Sequence, residues 1–257
     1  MGRPALALGG LALIGLGVVM ATGWWWPSSA HAEASVAQAV KSVRIDNSSG
    51  KIDIQTGDVT ESTVRQAFNY HWGDKPGNSF RVEGDTLVLA DCGSGCSVDY
   101  DVVVPKGTAV TGKNGSGDVR IKGVASVDVS ALSGQVTVQG VEGPATVGTT
   151  SGDIEVHDIG GEVKAHAQSG HVRGDGLRAK TDAEAQSGDV DLKVTSPQDV
   201  RAHTGSGSVK LVIPQDTYRV EGDSGSGDRK ISVNQSASGT HLLDLDTGSG
   251  DVSVVAA

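Results

Sequence analysis

The chain has 257 residues with 21 Lys plus Arg against 31 Asp plus Glu, a formal net charge of −10. That balance excludes the basic surface on which nucleic-acid binding depends and disfavours an anionic lipid surface. Its 37 glycines, set against four Trp, three Tyr and two Phe, fit a thin β-rich stack built from Val, Ile, Leu and Ala better than a thick globular core.

Residues Ala5 to Val19 are almost wholly apolar behind Arg3, and the apolar character runs on through Trp24, Trp25 and Trp26. Ala30-His31-Ala32 then has the small-x-small pattern of a signal peptidase site. A stretch of about twenty apolar residues is long enough to span a bilayer, and a Trp cluster suits the membrane interface. Residues 1–32 therefore read either as a signal peptide or as an uncleaved signal anchor. Both readings place the body outside the cytoplasm, membrane-anchored in one case and secreted in the other.

Residues 33–110 read as a β-rich entry region. Strands are expected at Thr63 to Phe68, Phe80 to Val82, Thr86 to Ala90 and Val98 to Val104, and Trp72 is the only tryptophan of the body. Cys92 and Cys96 enclose Gly-Ser-Gly. In an exported protein the pair reads as a disulfide closing a small loop, with free thiols and redox or metal chemistry as the alternatives. The spacing does not match a Cys-x-x-Cys redox motif.

Residues 111–257 form a ladder. Ser-Gly pairs place glycines at Gly117, Gly134, Gly152, Gly170, Gly188, Gly207, Gly227 and Gly250, separated by 17, 18, 18, 18, 19, 20 and 23 residues. A unit that short cannot bury its own apolar face and needs a copy above and below. Aligned on these turn glycines, Val119, Val136, Ile154, Val172, Val190, Val209, Arg229 and Val252 stand in one column. Two residues on stand Ile121, Val138, Val156, Gly174, Leu192, Leu211, Ile231 and Val254. Alternation by two is the strand period, so both columns face inward. Outward columns alternate in sign, as in Glu155, Arg173, Asp191 and Lys210, or Lys164, Asp182, Arg201 and Glu221. Ser49-Gly50-Lys51-Ile52-Asp53-Ile54 fits the same template 67 residues before Gly117.

The fold expected is all-β, a parallel β-solenoid with a right-handed path and about nine coils, hence ~40 Å long at the strand spacing. Arg229 is expected to turn outward with a local register shift. The last coil, ending at Ala257, is expected to be bare, an edge that invites end-to-end self-association.

Four chemistries are weighed and none is adopted. Gly107 to Asn114 nearly matches a phosphate-binding loop but lacks the Ser or Thr after Lys113 and a following helix. Asp228 and Asp251 are the best candidates for structural calcium. His166, Glu184, His203, Asp223 and Asp246 form a column that could hold a transition metal, yet its histidines stand two coils apart. No serine has a nucleophile-elbow context. The sequence thus assigns no catalytic residue, no cofactor and no metal ligand.

With the Cys-Gly-Ser-Gly-Cys-Ser-Val-Asp-Tyr-Asp-Val-Val-Val-Pro segment at 92–105 and the Ser-Gly-Asp-Val repeats in place, the chain resembles a bacterial family of β-strand-repeat proteins labelled "putative adhesins". In that family, especially in actinobacteria, a single membrane segment often precedes a domain of unknown function. The resemblance covers residues 40 to 257 and implies a non-enzymatic cell-envelope scaffold or adhesion surface facing a protein or glycan. Two other readings stand beside it: an envelope regulatory module binding a membrane protein, and a polysaccharide-active β-helix enzyme.

Overall fold

The computed structural model describes residues 28–71 and 76–257. The apolar leader, Trp24 to Trp26 and Trp72 lie outside the described residues. Every helix or strand assigned among those described is a strand.

The N-terminal third supplies β1 (Ser28–Val36), β2 (Ser42–Ser49), β3 (Ile52–Gly57), β4 (Ser62–Tyr70), β5 (Phe80–Glu83), β6 (Thr86–Ala90) and β7 (Cys96–Pro105). Six regular coils follow, each a strand, a Ser-Gly corner and a second strand. They are β8 (Ala109–Ser116) with β9 (Val119–Lys122), β10 (Ser126–Ser133) with β11 (Val136–Val141), and β12 (Ala145–Ser151) with β13 (Ile154–Ile159). Next come β14 (Val163–Ser169) with β15 (Val172–Leu177), β16 (Thr181–Ser187) with β17 (Val190–Val194), and β18 (Val200–Ser206) with β19 (Val209–Ile213). The chain ends in β20 (Thr217–Glu221), β21 (Arg229–Ser232), β22 (Asn234–Gln235), β23 (His241–Thr247) and β24 (Val252–Ala256).

These strands form two 12-stranded sheets. Sheet A runs β1-β4-β7-β3-β9-β11-β13-β15-β17-β19-β24-β21, and sheet B runs β22-β20-β23-β18-β16-β14-β12-β10-β8-β2-β6-β5. All coil-to-coil pairings are parallel; β4 with β7, β1 with β4 and β5 with β6 are antiparallel. The protein is a parallel β-solenoid whose described residues make ten two-strand coils, one more than the repeat count suggests, because β6/β7 also closes a coil.

The inward columns meet between the sheets. Val119, Val136, Ile154, Val172, Val190, Val209 and Val252 are buried, facing Val110, Val127, Ala145, Val163, Val200 and Leu243 from the other sheet. Each Val, Ile or Leu side chain among them contributes about 1.5–3 kcal/mol by leaving water. Gly174 leaves no hole, since a methyl there would lie 2.8 Å from Leu177 Cδ1 and 3.0 Å from Leu192 Cδ2.

Chain order and stacking order part company at both ends. The early repeat is a regular coil: β2 and β3 stack directly on β8 and β9, with Ser49 opposite Ser116 and Ile52 opposite Val119. The later coil β6/β7 lies outside it. At the other end β24 sits between β19 and β21, so the final coil is interior and the penultimate one is outermost. This corrects the expectation of a bare last coil. The reason is composition. Leu243, Leu245, Val252 and Val254 are all fully buried and need cover on both sides, whereas the β20/β21 coil offers Gly222 and Arg229 at matching positions.

Arg229 also departs from expectation. It keeps its register opposite Val252, and its guanidinium crosses the end of the core to donate to Leu245 O at 3.0 Å and Glu221 O at 2.9 Å. At the opposite end β4 sets Gln66 opposite Tyr100, with buried Val64 and Phe68 on either side of it, and the Tyr100 hydroxyl donates to Ala90 O at 2.6 Å and accepts from Gln66 Nε2 at 3.3 Å. Burial pushes the Tyr100 phenol well above its ordinary range.

Candidate interaction surface

The corners set the frame. Gly117, Gly134, Gly152, Gly170, Gly188, Gly207 and Gly250 all have φ between 111° and 145°, a region open to glycine. A methyl on Gly170 would fall on the carbonyl oxygen of Gly152 in the neighbouring coil, and the same holds down the column. Gly227 differs: it lies outside the left-handed region, and Gly225 takes the positive φ of 54° there. Cys92 and Cys96 form a disulfide, with Cα atoms 5.7 Å apart, across the corner between β6 and β7. That corner has nine residues between Ala90 and Tyr100, where the stacked coil has five between Asp46 and Ile52.

The residue after each corner glycine carries a second ladder. In stacking order the column reads Asp99, Lys51, Asp118, Gln135, Asp153, His171, Asp189, Ser208, Asp251 and Asp228. Oδ1 of each alternate aspartate accepts the backbone N–H of the next coil: Lys51 on Asp99 at 2.7 Å, Gln135 on Asp118 at 3.2 Å, His171 on Asp153 at 2.8 Å and Ser208 on Asp189 at 2.8 Å. Two of the intervening coils use acceptors other than a carboxylate, His171 Nδ1 for the Asp189 N–H at 3.0 Å and Ser208 Oγ for the Asp251 N–H at 3.3 Å. Asp251 Oδ1 in turn takes the Asp228 N–H at 2.9 Å. The pair weighed for calcium is therefore the last rung of this ladder.

The other chemical candidates are not assembled. Gly107 to Asn114 runs into strand β8 and then β9. His166, Glu184 and His203 do stack in succession, but the next residue is Asp246 rather than Asp223. His166 Nδ1 lies 3.6 Å from Glu184 Oε2, while His203 Nε2 turns to Asp244 Oδ2 at 3.1 Å, so the imidazoles diverge. Among the described residues no three His, Cys, Asp or Glu side chains are grouped to hold a metal ion.

What remains is the outer surface. Columns of opposite charge cross the coils, with Arg201 Nη1 3.4 Å from Asp182 and its Nε 3.7 Å from Asp244, and Arg173 Nη1 3.8 Å from Glu155. Near the N-terminal end of sheet A a cleft of about 580 Å³ is lined by His31, Glu33, Lys51, Asp53, Arg65 and Asp101. Its charges already satisfy one another: Glu33 with Arg65 at 3.2 Å, Arg65 with Asp101 at 3.9 Å and Lys51 with Asp53 at 3.7 Å. Sheet B offers a different surface. Where its outward column narrows to Ser130 and Gly148, a shallow trough of about 540 Å³ opens between Lys113 and His166, with Leu132, 65% exposed, on its rim. A smaller hollow of about 270 Å³ between Asp128, Lys164 and Asp182 continues it. Sequence columns drawn only from the charged coils pass over this trough, because its signal is the smallness of Ser130 and Gly148.

A two-sheet parallel solenoid with Ser-Gly corners and short connections defines a class of stacked-coil repeat proteins. The profile of the Toastrack DUF4097 family matches residues 77–255, and the chain belongs to that family. Among solved structures, a "putative adhesin" from Bacteroides fragilis matches with a TM-score of 0.53 at 15% identity, over 89% of this chain and 97% of that one. A "putative cell adhesion protein" from Clostridium sporogenes covers 90% of this chain and 100% of its own, at 10% identity and a TM-score of 0.30. The first likeness supports the fold. No curated protein matches the chain.

Proposed function

We propose that the protein is a non-enzymatic, extracytoplasmic scaffold whose sheet B face binds a protein partner. The observation that carries this reading is the trough over Ser130 and Gly148, a concave strip across the outward face of sheet B, with an exposed Leu132 beside it and charges of both signs around it. A hollow with small residues at its floor and an exposed Leu132 among polar groups at its rim can seat side chains of a protein partner. Against a glycan partner, all five Tyr and Phe residues of the described chain are in the core or packed against it: Phe68, Tyr100 and Tyr218 are buried, and Tyr70 and Phe80 lean on the cluster. Among the described residues the Tyr and Phe rings thus form no exposed platform of the kind on which flat ligands stack. The disulfide supports an oxidising compartment, and the name of the Bacteroides fragilis neighbour agrees with a surface role.

Gly148 makes the reading testable. Its φ lies outside the left-handed region, and a methyl there meets only Ser130 Cβ at 3.7 Å and His166 O at 3.9 Å, ordinary contacts. Gly148→Arg should fill the trough without unfolding the solenoid. Pull-down from envelope extract is expected to capture a defined protein with the wild type and to lose it with Gly148→Arg at unchanged Tm. Capture that survives the substitution would remove the trough from the account, and shortening of a glycan polymer by the purified protein would overturn the non-enzymatic reading.

A further inference from the structure

The four sheet ends are not alike. Sheet A finishes on one side in β21, four residues including Arg229 and Lys230, and sheet B finishes in the two-residue β22 and the four-residue β5. β5 carries Arg81 and Glu83, and Arg81 together with Arg44 holds the Glu83 carboxyl below the usual carboxylate range. Short strands and charged side chains are the means by which a free edge is kept from templating another chain. The fourth end, β1, is longer and far less charged. Its nine residues contain no Pro, Lys or Arg and a single carboxylate, Glu33.

β1 is nonetheless a well-formed strand. All nine residues pair with β4, from Ser28 opposite Tyr70 to Val36 opposite Ser62. Ala30 and Val36 are buried and Ala32 and Ala34 half-buried, while His31, Glu33 and Ser35 are exposed, so the inward face is made almost wholly of alanine. Among the described residues no strand pairs with its other edge.

We propose that this edge is an interface between two copies of the chain, the two β1 strands pairing antiparallel about a two-fold axis at Ala32. In that register the numbers of opposed residues sum to 64. His31 of each copy then faces the partner's Glu33, and Ala30 faces the partner's Ala34. Directly opposed residues in an antiparallel pair project to the same side, so two imidazole–carboxylate pairs form on the outer face and only small side chains meet on the inner one. Glu33 is equipped for both neighbours, since Oε1 takes Arg65 Nε at 3.2 Å and Oε2 is left for the imidazole. A slip of two residues in either direction would oppose Glu33 to Glu33 or His31 to His31. The imidazole–carboxylate match is made in one register only, and register is what strand pairing must fix. The two copies of sheet A would join into 24 strands, ~110 Å along the stack at the usual strand spacing, with the solenoids pointing in opposite directions.

The inference does not depend on what the sheet B trough binds. Its test uses the full-length chain in detergent, whose two native cysteines are already joined. Ala32→Cys places a thiol on the axis and is expected to give a disulfide-linked dimer on mild oxidation. Ser35→Cys, which faces the partner's residue 29 rather than its own copy, should crosslink roughly tenfold less, because the two thiols lie beyond disulfide reach. Glu33→Lys should convert the dimer to a monomer in sedimentation, and adding His31→Glu should restore it, with a melting curve of each variant reporting that the solenoid is folded. A wild-type chain that sediments as a monomer at every concentration, equal crosslinking at residues 32 and 35, or no rescue by the double substitution would each overturn the proposal.

Discussion

Asp153 Oδ1 accepts the backbone N–H of His171 from the next coil at 2.8 Å, and His171 Nδ1 accepts the N–H of Asp189 from the coil after that at 3.0 Å. The relation explains why acid alternates with non-acid after the corner glycine. At Lys51, Gln135, His171, Asp189, Ser208, Asp251 and Asp228 the N–H at this position takes a side-chain acceptor from the neighbouring coil. Aspartate in every coil would set like charges about 4.8 Å apart, at a cost that opposed like charges are known to carry. The repeated Ser-Gly-Asp is thus a device for stacking.

Replacing Asp153 by Ala should therefore destabilise the solenoid by about 1–2 kcal/mol, the range for a charge-assisted bond to a half-buried donor. Asp153→Asn keeps an acceptor oxygen and should lose less than half of that. Urea denaturation of the three proteins checks both values, and hydrogen exchange at the His171 amide should speed up in the Ala variant alone.

The corner glycines should be far less tolerant. Gly170 has φ 140° and its added methyl would fall on the Gly152 carbonyl, so Gly170→Ala is expected to cost about 3 kcal/mol by strain and clash together. Gly107 also has positive φ, 82°, but open space around it. Gly107→Ala should cost only about 1 kcal/mol, the backbone penalty alone. Thermal melts of the pair separate crowding from conformation.

Arg229 should act as an end plug. Arg229→Leu removes the bonds to Leu245 O and Glu221 O and leaves an apolar side chain at the open end of the core. Stability should fall by about 1–2 kcal/mol, and light scattering should rise with concentration above the wild type.

The Tyr100 hydroxyl makes stability sensitive to alkali. Burial raises its folded value above the ordinary phenol value of about 10, so the unfolded chain ionises first. Its contribution is intact below that pH and is lost progressively as pH rises above it. Tyr218 is raised by burial as well. Tyr100→Phe should lower stability at neutral pH by about 1–2 kcal/mol, because Ala90 O loses its donor, and should flatten the alkaline slope of the urea midpoint.

Much of this fold is legible in the residues. The glycine spacing fixes the coil, and the columns of Val119 to Val252 on one side and Val127 to Leu243 on the other face each other across the interior as their period requires. The order at the ends is not legible, since intervals of 20 and 23 residues between Gly207, Gly227 and Gly250 differ little from the rest. Only the completeness of the apolar set in Leu243, Leu245, Val252 and Val254 shows which coil belongs inside. Ala30-His31-Ala32 carries two meanings at once. It has the spacing of a peptidase site, and extended through Ala34 and Val36 it is the alternation of a strand, which is what the chain forms there. Of the candidate surface, the charged columns follow from the register, while the trough depends on the absence of side-chain bulk at Gly148, to which hydrophobic and charge patterns are blind.

The exchange of the last two coils is the sharpest claim about how this chain folds, and one pair of crosslinks decides it. Lys210 stands beside Ser253, and Ser253 stands beside Lys230. Oxidising Lys210→Cys/Ser253→Cys should close a disulfide within one chain, and Lys210→Cys/Lys230→Cys should not, being two strands or ~10 Å apart. The opposite result, a bond between 210 and 230 and none between 210 and 253, would mean that the coils stack in simple chain order and would contradict the architecture.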